Sequence, residues 1–226
     1  TLPTGIDKDG RDRTAVCCLS SLNLEKYDEW KDDPDMIGDV MRFLDNVLSD
    51  FINKAPEQFK DAKYSAERER SVGLGVMGFH SFLQKKRIPL ESVMAKSWNK
   101  KIFKNIHEKV NQASKDLAEE RGACPDAAEY GFKERFSNKT AIAPTASISI
   151  ICGGASPGVE PIAANSYTHK TLSGSFNVRN RYLEEILESH GKNDDETWST
   201  ITTNQGSVSH LDFLTDLEKD VFKTAF

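Results

Sequence analysis

The sequence predicts an α/β fold in which short buried strands alternate with longer helices. Apolar residues recur every three or four positions over residues 34–54 and 90–121, which is the period of an amphipathic helix. Short apolar runs at residues 14–19 and 140–143 are typical of buried strands. This alternation favours a parallel-type core. Because no repeat or linker interrupts the 226 residues, we expect a single domain over residues 1–226.

The first half of the chain is predicted to hold one strand and three helices. Residues 14–19, Thr-Ala-Val-Cys-Cys-Leu, form the strand after a polar turn. The apolar positions expected to bury the helix over residues 34–54 are Met36, Val40, Phe43, Leu44, Val47 and Phe51. A short helix ending at Lys86 follows the glycine-rich residues 71–78. The long helix over residues 90–121 ends at Gly122, because glycine favours the left-handed conformation of a helix C-cap.

The second half is predicted to hold shorter elements. A loop begins at Cys124 and leads to the brief strand over residues 140–143. Alternation and β-forming residues indicate two extended segments, at 166–172 and 175–178. Residues 181–189 are expected to be helical, and a polar loop precedes a last helix from Leu211 onward.

Composition excludes several classes of protein. The net charge of −5 argues against a nucleic-acid binder that works by neutralising phosphates. No apolar run approaches the ~20 residues of a membrane helix, and no signal peptide opens the sequence, so we expect a soluble protein. The four cysteines have no CxxC or CxxH spacing, which excludes the usual zinc and disulfide frameworks and fits a reducing cytosol.

The segment from Gly73 to Gly78, Gly-Leu-Gly-Val-Met-Gly, matches the G-x-G-x-x-G pattern of dinucleotide-binding loops. The residues before it, Glu-Arg-Glu-Arg-Ser, are not the hydrophobic strand that such a loop requires. Glycines that let a strand pack closely against the following helix explain the pattern as well. Packing is therefore the favoured interpretation, and a dehydrogenase would require that NAD bind and that Gly75→Ala abolish the binding.

A second pattern lies where the strand over residues 140–143 ends. Thr145 and Ser147 flank Ala146 just before a possible helix, and free N–H groups at such a junction bind phosphate. The same residue types are the ordinary choice for a helix N-cap. From the residues alone, the N-cap is the favoured interpretation.

The remaining reactive residues leave several alternatives open. Cys17 and Cys18 are adjacent in the predicted first strand, so each is either a small buried side chain or a thiol presented to a cleft for redox chemistry. Cys124 and Cys152 are expected to be structural, and Glu160 is expected to be a buried, hydrogen-bonded carboxylate. The five histidines form no ligand cluster, so no metal site is predicted.

Several longer motifs, in a fixed order, resemble one family, the large subunit of class I ribonucleotide reductases. The matching segments are Leu-Pro-Thr at 2–4, AVCCLSSLNL at 15–24, RSVGLGVMGF at 70–79, ERGACP at 120–125, NKTAIAPTAS at 138–147, GVEP at 158–161 and YTHKTLSG at 167–174. The resemblance covers nearly the whole chain and is weaker after Trp198. It implies the second half of a ten-stranded α/β barrel with surrounding helices.

The resemblance also implies roles for individual residues. Cys17 corresponds to one member of the cysteine pair that reduces the ribose, whereas its neighbour Cys18 is expected to be structural. The loop that holds the substrate diphosphate corresponds to Pro144, Thr145, Ala146, Ser147 and Ile148, with the Thr145 and Ser147 hydroxyls and backbone N–H groups as the implied donors. The implied reaction is thiyl-radical reduction of ribonucleoside diphosphates to deoxyribonucleoside diphosphates.

Other implied parts of the enzyme are not found in these residues. They are the radical cysteine, the partner of Cys17 in the amino-terminal half of the large subunit, and the segments that would follow Phe226. A small subunit with a metal-radical cofactor and a reductant of the thioredoxin or glutaredoxin type are expected as partners, in the cytoplasm. We therefore expect this chain to be inactive alone. A non-catalytic nucleotide-binding or regulatory module is the alternative.

Overall fold

The computed structural model of the chain describes residues 2, 4–16, 18–172 and 174–226. The chain divides into two compact units, each assembled from separate stretches of sequence. The first unit comprises Thr1–Leu22, Asp28–Val76 and Lys101–Ala143, and the second comprises Asn23–Tyr27, Met77–Lys100 and Pro144–Phe226. The single domain over residues 1–226 stays a prediction.

Helices and short strands alternate along the chain, which confirms the α/β class. The strands are β1 (Gly5–Ile6), β2 (Asp12–Arg13), β3 (Cys18–Asn23), β4 (Val72–Met77), β5 (Ser166–Thr171) and β6 (Gly174–Arg179). The helices are α1 (Tyr27–Trp30), α2 (Met36–Lys54), α3 (Lys60–Glu69), α4 (Phe79–Lys85), α5 (Val93–Arg121), α6 (Pro125–Glu129), α7 (Ile148–Ile151), α8 (Arg181–Ser189), α9 (Asp195–Thr203) and α10 (Asp216–Val221). No helix among the described residues is long and apolar enough to cross a membrane.

The strands pair two by two, as β1 with β2, β3 with β4, and β5 with β6. In the first unit, β4 is buried along its whole length and also forms a parallel bridge from Leu74 to Thr140. In the second unit, β5 and β6 form an antiparallel hairpin in which Ser166 lies opposite Arg179. Within the described residues these pairs form no closed barrel.

Helix α2 forms where the apolar period predicted it, but a different face is buried. The side chains on its buried face are Ile37, Met41, Leu44, Asp45, Leu48 and Ile52. Phe43 and Val47, which were expected in the core, are 61% and 40% exposed. The helix carries two neighbouring apolar stripes, and the pattern alone does not say which of them packs inward.

Other predicted boundaries were wrong. The strand predicted over residues 14–19 corresponds to β3, which starts at Cys18 rather than residue 14. Only Leu22 in β3 is buried. The strand predicted over residues 140–143 is reduced to the single bridge at Thr140. Helix α6 occupies the predicted loop, because Pro125 at its first turn is pre-set for a helical φ.

The core of the second unit lies between α8, α9 and the segment that leads into α10. Helix α8 has the predicted bounds, whereas α9 begins inside the predicted polar loop. The buried cluster comprises Tyr182, Leu183, Leu187, Trp198, Ile201, Val208, Leu211, Leu214, Val221 and Phe222. The last helix begins at Asp216 rather than Leu211, because Thr215 and Glu218 form a capping box at its start.

Replacing Thr215 by alanine is expected to lower the free energy of unfolding by about 1 kcal/mol, because it removes the acceptor for the Glu218 N–H. Thr215→Ser keeps the hydroxyl and is the matched control. Urea unfolding of both variants checks the prediction. An equal loss in the serine variant would show that the cap is not the cause.

Candidate functional site

The loop that precedes α7 lies in the second unit and presents most of its residues to solvent. Pro144, Ala146, Ser147 and Ile148 are exposed, whereas Thr145 is only 7% exposed. Ser147 stands at the N-cap position of α7, but its side chain makes no capping hydrogen bond. A serine therefore occupies the predicted N-cap position, but its hydroxyl does not accept the backbone N–H that an N-cap serine usually accepts.

Three consecutive backbone N–H groups of this loop are free to bind a ligand. Within the described part of the chain, the N–H groups of Ala146, Ser147 and Ile148 donate no hydrogen bond. The next N–H, that of Ser149, is 3.0 Å from the carbonyl oxygen of Thr145. Exposed N–H groups in succession form a concave surface of partial positive charge, which is suited to an anion.

The shape of the loop depends on Thr145, whose backbone has a φ of 53°. A left-handed conformation costs a β-branched residue about 1–3 kcal/mol and persists only where its surroundings impose it. The Thr145 hydroxyl accepts a hydrogen bond from the Gly158 N–H at 2.8 Å. This bond and the burial of the side chain hold the strained turn, together with the bonds from Ser149, whose N–H donates to the Thr145 carbonyl and whose hydroxyl donates to the Ala146 carbonyl.

The segment that contains Gly158 is in turn held by the start of α4. Ser81 and Ser156 bond reciprocally, each hydroxyl accepting the backbone N–H of the other residue, at 3.1 and 2.9 Å. The Gly78 N–H donates to the Ser156 carbonyl at 2.7 Å. The loop before α7 is thus connected through Gly158 to a segment that is hydrogen-bonded to α4.

A second side chain of α4 holds the same segment farther along. His80 is fully buried, and its Nδ1 accepts the Ile162 N–H at 3.0 Å. Burial lowers the pKa of His80 to about 4, so the imidazole is neutral and able to accept at physiological pH. These roles of His80 and Ser81 were not predicted from the sequence. The available signal was a run of polar residues inside the otherwise apolar segment after Gly78.

The glycine-rich motif is a packing feature of the first unit. Gly73 and Gly75 lie within β4 itself rather than in a turn between a strand and a helix. A Cβ on Gly75 would lie 2.1 Å from the Ala141 carbonyl oxygen, and one on Gly73 would lie 2.9 Å from the Ala141 Cβ. The two glycines therefore allow close approach of the 141–142 backbone, in agreement with packing and not with a dinucleotide loop.

Comparison with known proteins identifies the family. The family described as "Ribonucleotide reductase, barrel domain" matches residues 6–134 and 126–226. The chain belongs to this family. The ribonucleotide reductase resemblance of the sequence motifs and the predicted fold class are thereby confirmed, the fold as part of the barrel domain.

Individual ribonucleotide reductases resemble the chain over most of its length. It is 52% identical over 95% of its residues to "Ribonucleoside-diphosphate reductase large subunit" of Invertebrate iridescent virus 6, and covers 22% of that protein. It is 43% identical over its whole length to "Putative ribonucleoside-diphosphate reductase large subunit" of Frog virus 3, and covers 39% of that protein. The solved "Actinobacillus ureae class Id ribonucleotide reductase alpha subunit" superimposes with a TM-score of 0.85 at 42% identity, over 94% of this chain and 39% of that one. The chain thus spans about a fifth to two fifths of these relatives.

The predicted redox residue of this ribonucleotide reductase chain, Cys17, lies outside the described residues, so its role stays a prediction. Its neighbour Cys18 is partly exposed at the start of β3. Cys124 is fully buried, and burial raises the pKa of its thiol, as expected of a structural cysteine. Cys152, by contrast, is exposed and is not part of the core.

Two further predictions concern charged and metal-binding groups. Glu160 is exposed, so the expectation of a buried carboxylate was wrong. Glu160 ends a short turn in which its N–H donates to the Pro157 carbonyl at 3.2 Å, and it is exposed there although the surrounding sequence is apolar and glycine-rich. Across the described residues, no group of three or more His, Cys, Asp or Glu side chains is arranged to hold a metal ion.

Proposed function

We propose that this chain is part of the large subunit of a ribonucleoside-diphosphate reductase, an oxidoreductase that converts ribonucleoside diphosphates to deoxyribonucleoside diphosphates. The observation that carries the proposal is the exposed turn at Ala146, Ser147 and Ile148, whose three N–H groups have no partner within the described chain. This turn lies in a chain of the ribonucleotide reductase barrel family. Relatives of this chain carry the name of the same enzyme.

The substrate diphosphate would bind at residues 144–148. Backbone N–H groups donate hydrogen bonds to phosphate oxygens, and the uncapped Ser147 hydroxyl adds a further donor. Binding both phosphates at a rigid turn fixes the ribose relative to the reacting thiols. Such fixation matters because the reacting atoms must be about 3–3.5 Å apart and aligned for attack.

Cys17 would supply one of the two thiols that reduce the ribose. In the proposed reaction a thiyl radical on another cysteine takes the 3′ hydrogen, which is later returned. The 2′-hydroxyl leaves as water, carbon 2′ gains a hydrogen, and the two reducing thiols are oxidised to a disulfide. Forming that disulfide requires Cα atoms about 4.4–6.8 Å apart, so the second cysteine must approach Cys17 closely.

The chain would act only with partners. The second reducing cysteine and the radical cysteine are proposed to come from the amino-terminal half of the large subunit. A small subunit with a metal-radical cofactor would generate the radical, and an external thiol of the thioredoxin or glutaredoxin type would re-reduce the disulfide. We place this assembly in the cytoplasm, where thiols stay reduced.

The test is reduction of cytidine diphosphate by the chain alone and by a mixture with the remaining large-subunit segments, the small subunit and reductant. We expect deoxycytidine diphosphate only in the complete mixture, and none when Cys17→Ser replaces the native chain, because serine cannot form the disulfide. Cys18→Ser is the matched control and is expected to stay active. Product formation by Cys17→Ser, or none by a native mixture shown to assemble, would contradict the proposal and favour a binding or regulatory role.

A further inference from the structure

We infer that Thr145 is a positioning residue: its hydroxyl fixes the turn at residues 144–148 by holding Gly158, and it leaves the phosphate contacts to residues 146–148. The inference rests on the proposed function, because it assigns a task within the proposed substrate site. It differs from the role expected from the sequence, in which Thr145 itself donates to the diphosphate.

The Thr145 side chain bonds to the protein interior rather than to solvent. The Thr145 hydroxyl accepts the Gly158 N–H at 2.8 Å, and the residue is only 7% exposed. The three residues that follow it are exposed and make no backbone N–H bond within the described chain. Thr145 thus faces inward, and the groups available to an anion come directly after it.

The backbone of Thr145 is strained. With a φ of 53°, Thr145 has a conformation that a β-branched residue adopts only under constraint. Such strain is often found where a functional turn is held in one shape. If the bond to Gly158 were lost, the turn would be free to relax toward ordinary φ values, and the three N–H groups would change direction.

Gly158, which donates the hydrogen bond to Thr145, lies in a segment that is itself hydrogen-bonded to α4 and its N-cap. Two residues before Gly158, Ser156 is bonded reciprocally to Ser81 of α4, and its carbonyl accepts the Gly78 N–H. The Gly158 carbonyl lies 3.5 Å from the Phe79 N–H that donates to it. Ser156 and Gly158 are both hydrogen-bonded to residues 78–81. Thr145 therefore connects the turn to a segment that has its own hydrogen bonds to α4 and its N-cap.

The experiment has two parts: amide hydrogen exchange at Gly158 is measured in the full chain without substrate, and KM and kcat for cytidine diphosphate are measured in the assembled enzyme. Thr145→Val removes the acceptor and keeps the side-chain shape. We expect exchange at Gly158 to become roughly tenfold faster, the usual consequence of losing one buried hydrogen bond. We expect KM to rise about tenfold with kcat little changed, because the phosphate contacts are made equally in the ground state and the transition state.

Three further variants separate positioning from direct contact and from misfolding. Thr145→Gly removes the hydroxyl while relieving the strain, and should accelerate exchange at Gly158 as valine does. Thr145→Ser keeps the acceptor and should keep Gly158 protected. Ser147→Ala removes a proposed phosphate donor, so it should raise KM but leave exchange at Gly158 unchanged. Thr168→Val, on the exposed hairpin, is the control that should change neither quantity.

Unchanged exchange at Gly158 in both Thr145→Val and Thr145→Gly would overturn the inference, as would lost protection in Thr145→Ser. Faster exchange with an unchanged KM would also overturn it, because the bond would then have no effect on the substrate. If the native assembled enzyme does not reduce cytidine diphosphate at all, the proposed function fails and the inference with it. That failure is distinguishable, because it appears in the native enzyme and not in the exchange data.

Discussion

Replacing Asp45 by alanine is expected to lower the free energy of unfolding by about 3–5 kcal/mol, because it breaks a buried network in which one carboxylate faces three arginines. Asp45 is fully buried in α2. Its oxygens lie 2.6 Å from the Arg70 guanidinium, 2.8 Å from that of Arg121 and 2.9 Å from that of Arg135. Arg70 and Arg135 are themselves less than 10% exposed, so the variant leaves buried charges without their partner.

The same network predicts a dependence of stability on pH. Burial raises the pKa of Asp45, but the hydrogen bonds from Arg135 and Arg121 and the charge of Arg70 outweigh burial, so the pKa is lowered overall. A carboxyl whose pKa is lower in the folded state stabilises the protein at every pH above its unfolded-state value, about 3.9. This contribution is lost as the pH falls from that value through the folded-state pKa.

Urea unfolding between pH 7 and pH 3 measures both effects, and hydrogen exchange of the α2 amides locates the loss in the first unit. The matched control is Asp50→Ala on the same helix, where an exposed carboxylate pairs with Lys54 at 2.7 Å. That pair is expected to contribute less than about 0.5 kcal/mol. Equal losses in the two variants would show that the arginine network does not stabilise the fold.

Replacing Gly75 by alanine is expected to lower the free energy of unfolding by about 3 kcal/mol, the upper end of the usual cost of overpacking. The new Cβ would lie 2.1 Å from the Ala141 carbonyl oxygen and 3.3 Å from the Ile142 Cα. Both are backbone atoms of a segment tied to β4, since Leu74 donates to Lys139 and accepts from Ala141. The clash can be relieved only by separating that segment from the strand.

The control for this prediction is Gly38→Ala in the first turn of α2, where an added Cβ meets nothing within 4 Å. There alanine is expected to stabilise by about 0.5–1 kcal/mol, because it is the better helix former. Thermal unfolding distinguishes the two substitutions by sign. If Gly75→Ala were as stable as the native chain, the 141–142 backbone could not lie as close to Gly75 as described.

The positions of the long helices could be predicted from the sequence, whereas the faces that they bury and the partners of their side chains could not. The periods of α2, α5 and α8 are local properties, and these helices occur where they were predicted. The buried side of α2 is not a local property. It includes Asp45, whose burial depends on arginines 25, 76 and 90 positions away, and no periodicity can indicate such partners.

The same limit applies to the candidate site. The hydroxyl residues at the loop were recognisable from their position after a predicted strand and from the family resemblance. That Thr145 faces inward depends on Gly158, which is 13 residues away, and on the bonds between Ser156 and α4. Hydrogen bonds of this kind leave no pattern in a single sequence, so the identity of the loop was predictable and the division of tasks within it was not.

The two units alternate along the chain, and this order has a consequence for synthesis and for dissection. Arg135, which completes the ring around Asp45, emerges from the ribosome only after residues 77–100 of the second unit. Until then the Asp45 carboxylate lacks one of its three arginine partners, so the buried network of the first unit is complete only after its last segment has been synthesised. For the same reason, no single cleavage of the backbone can release either unit whole.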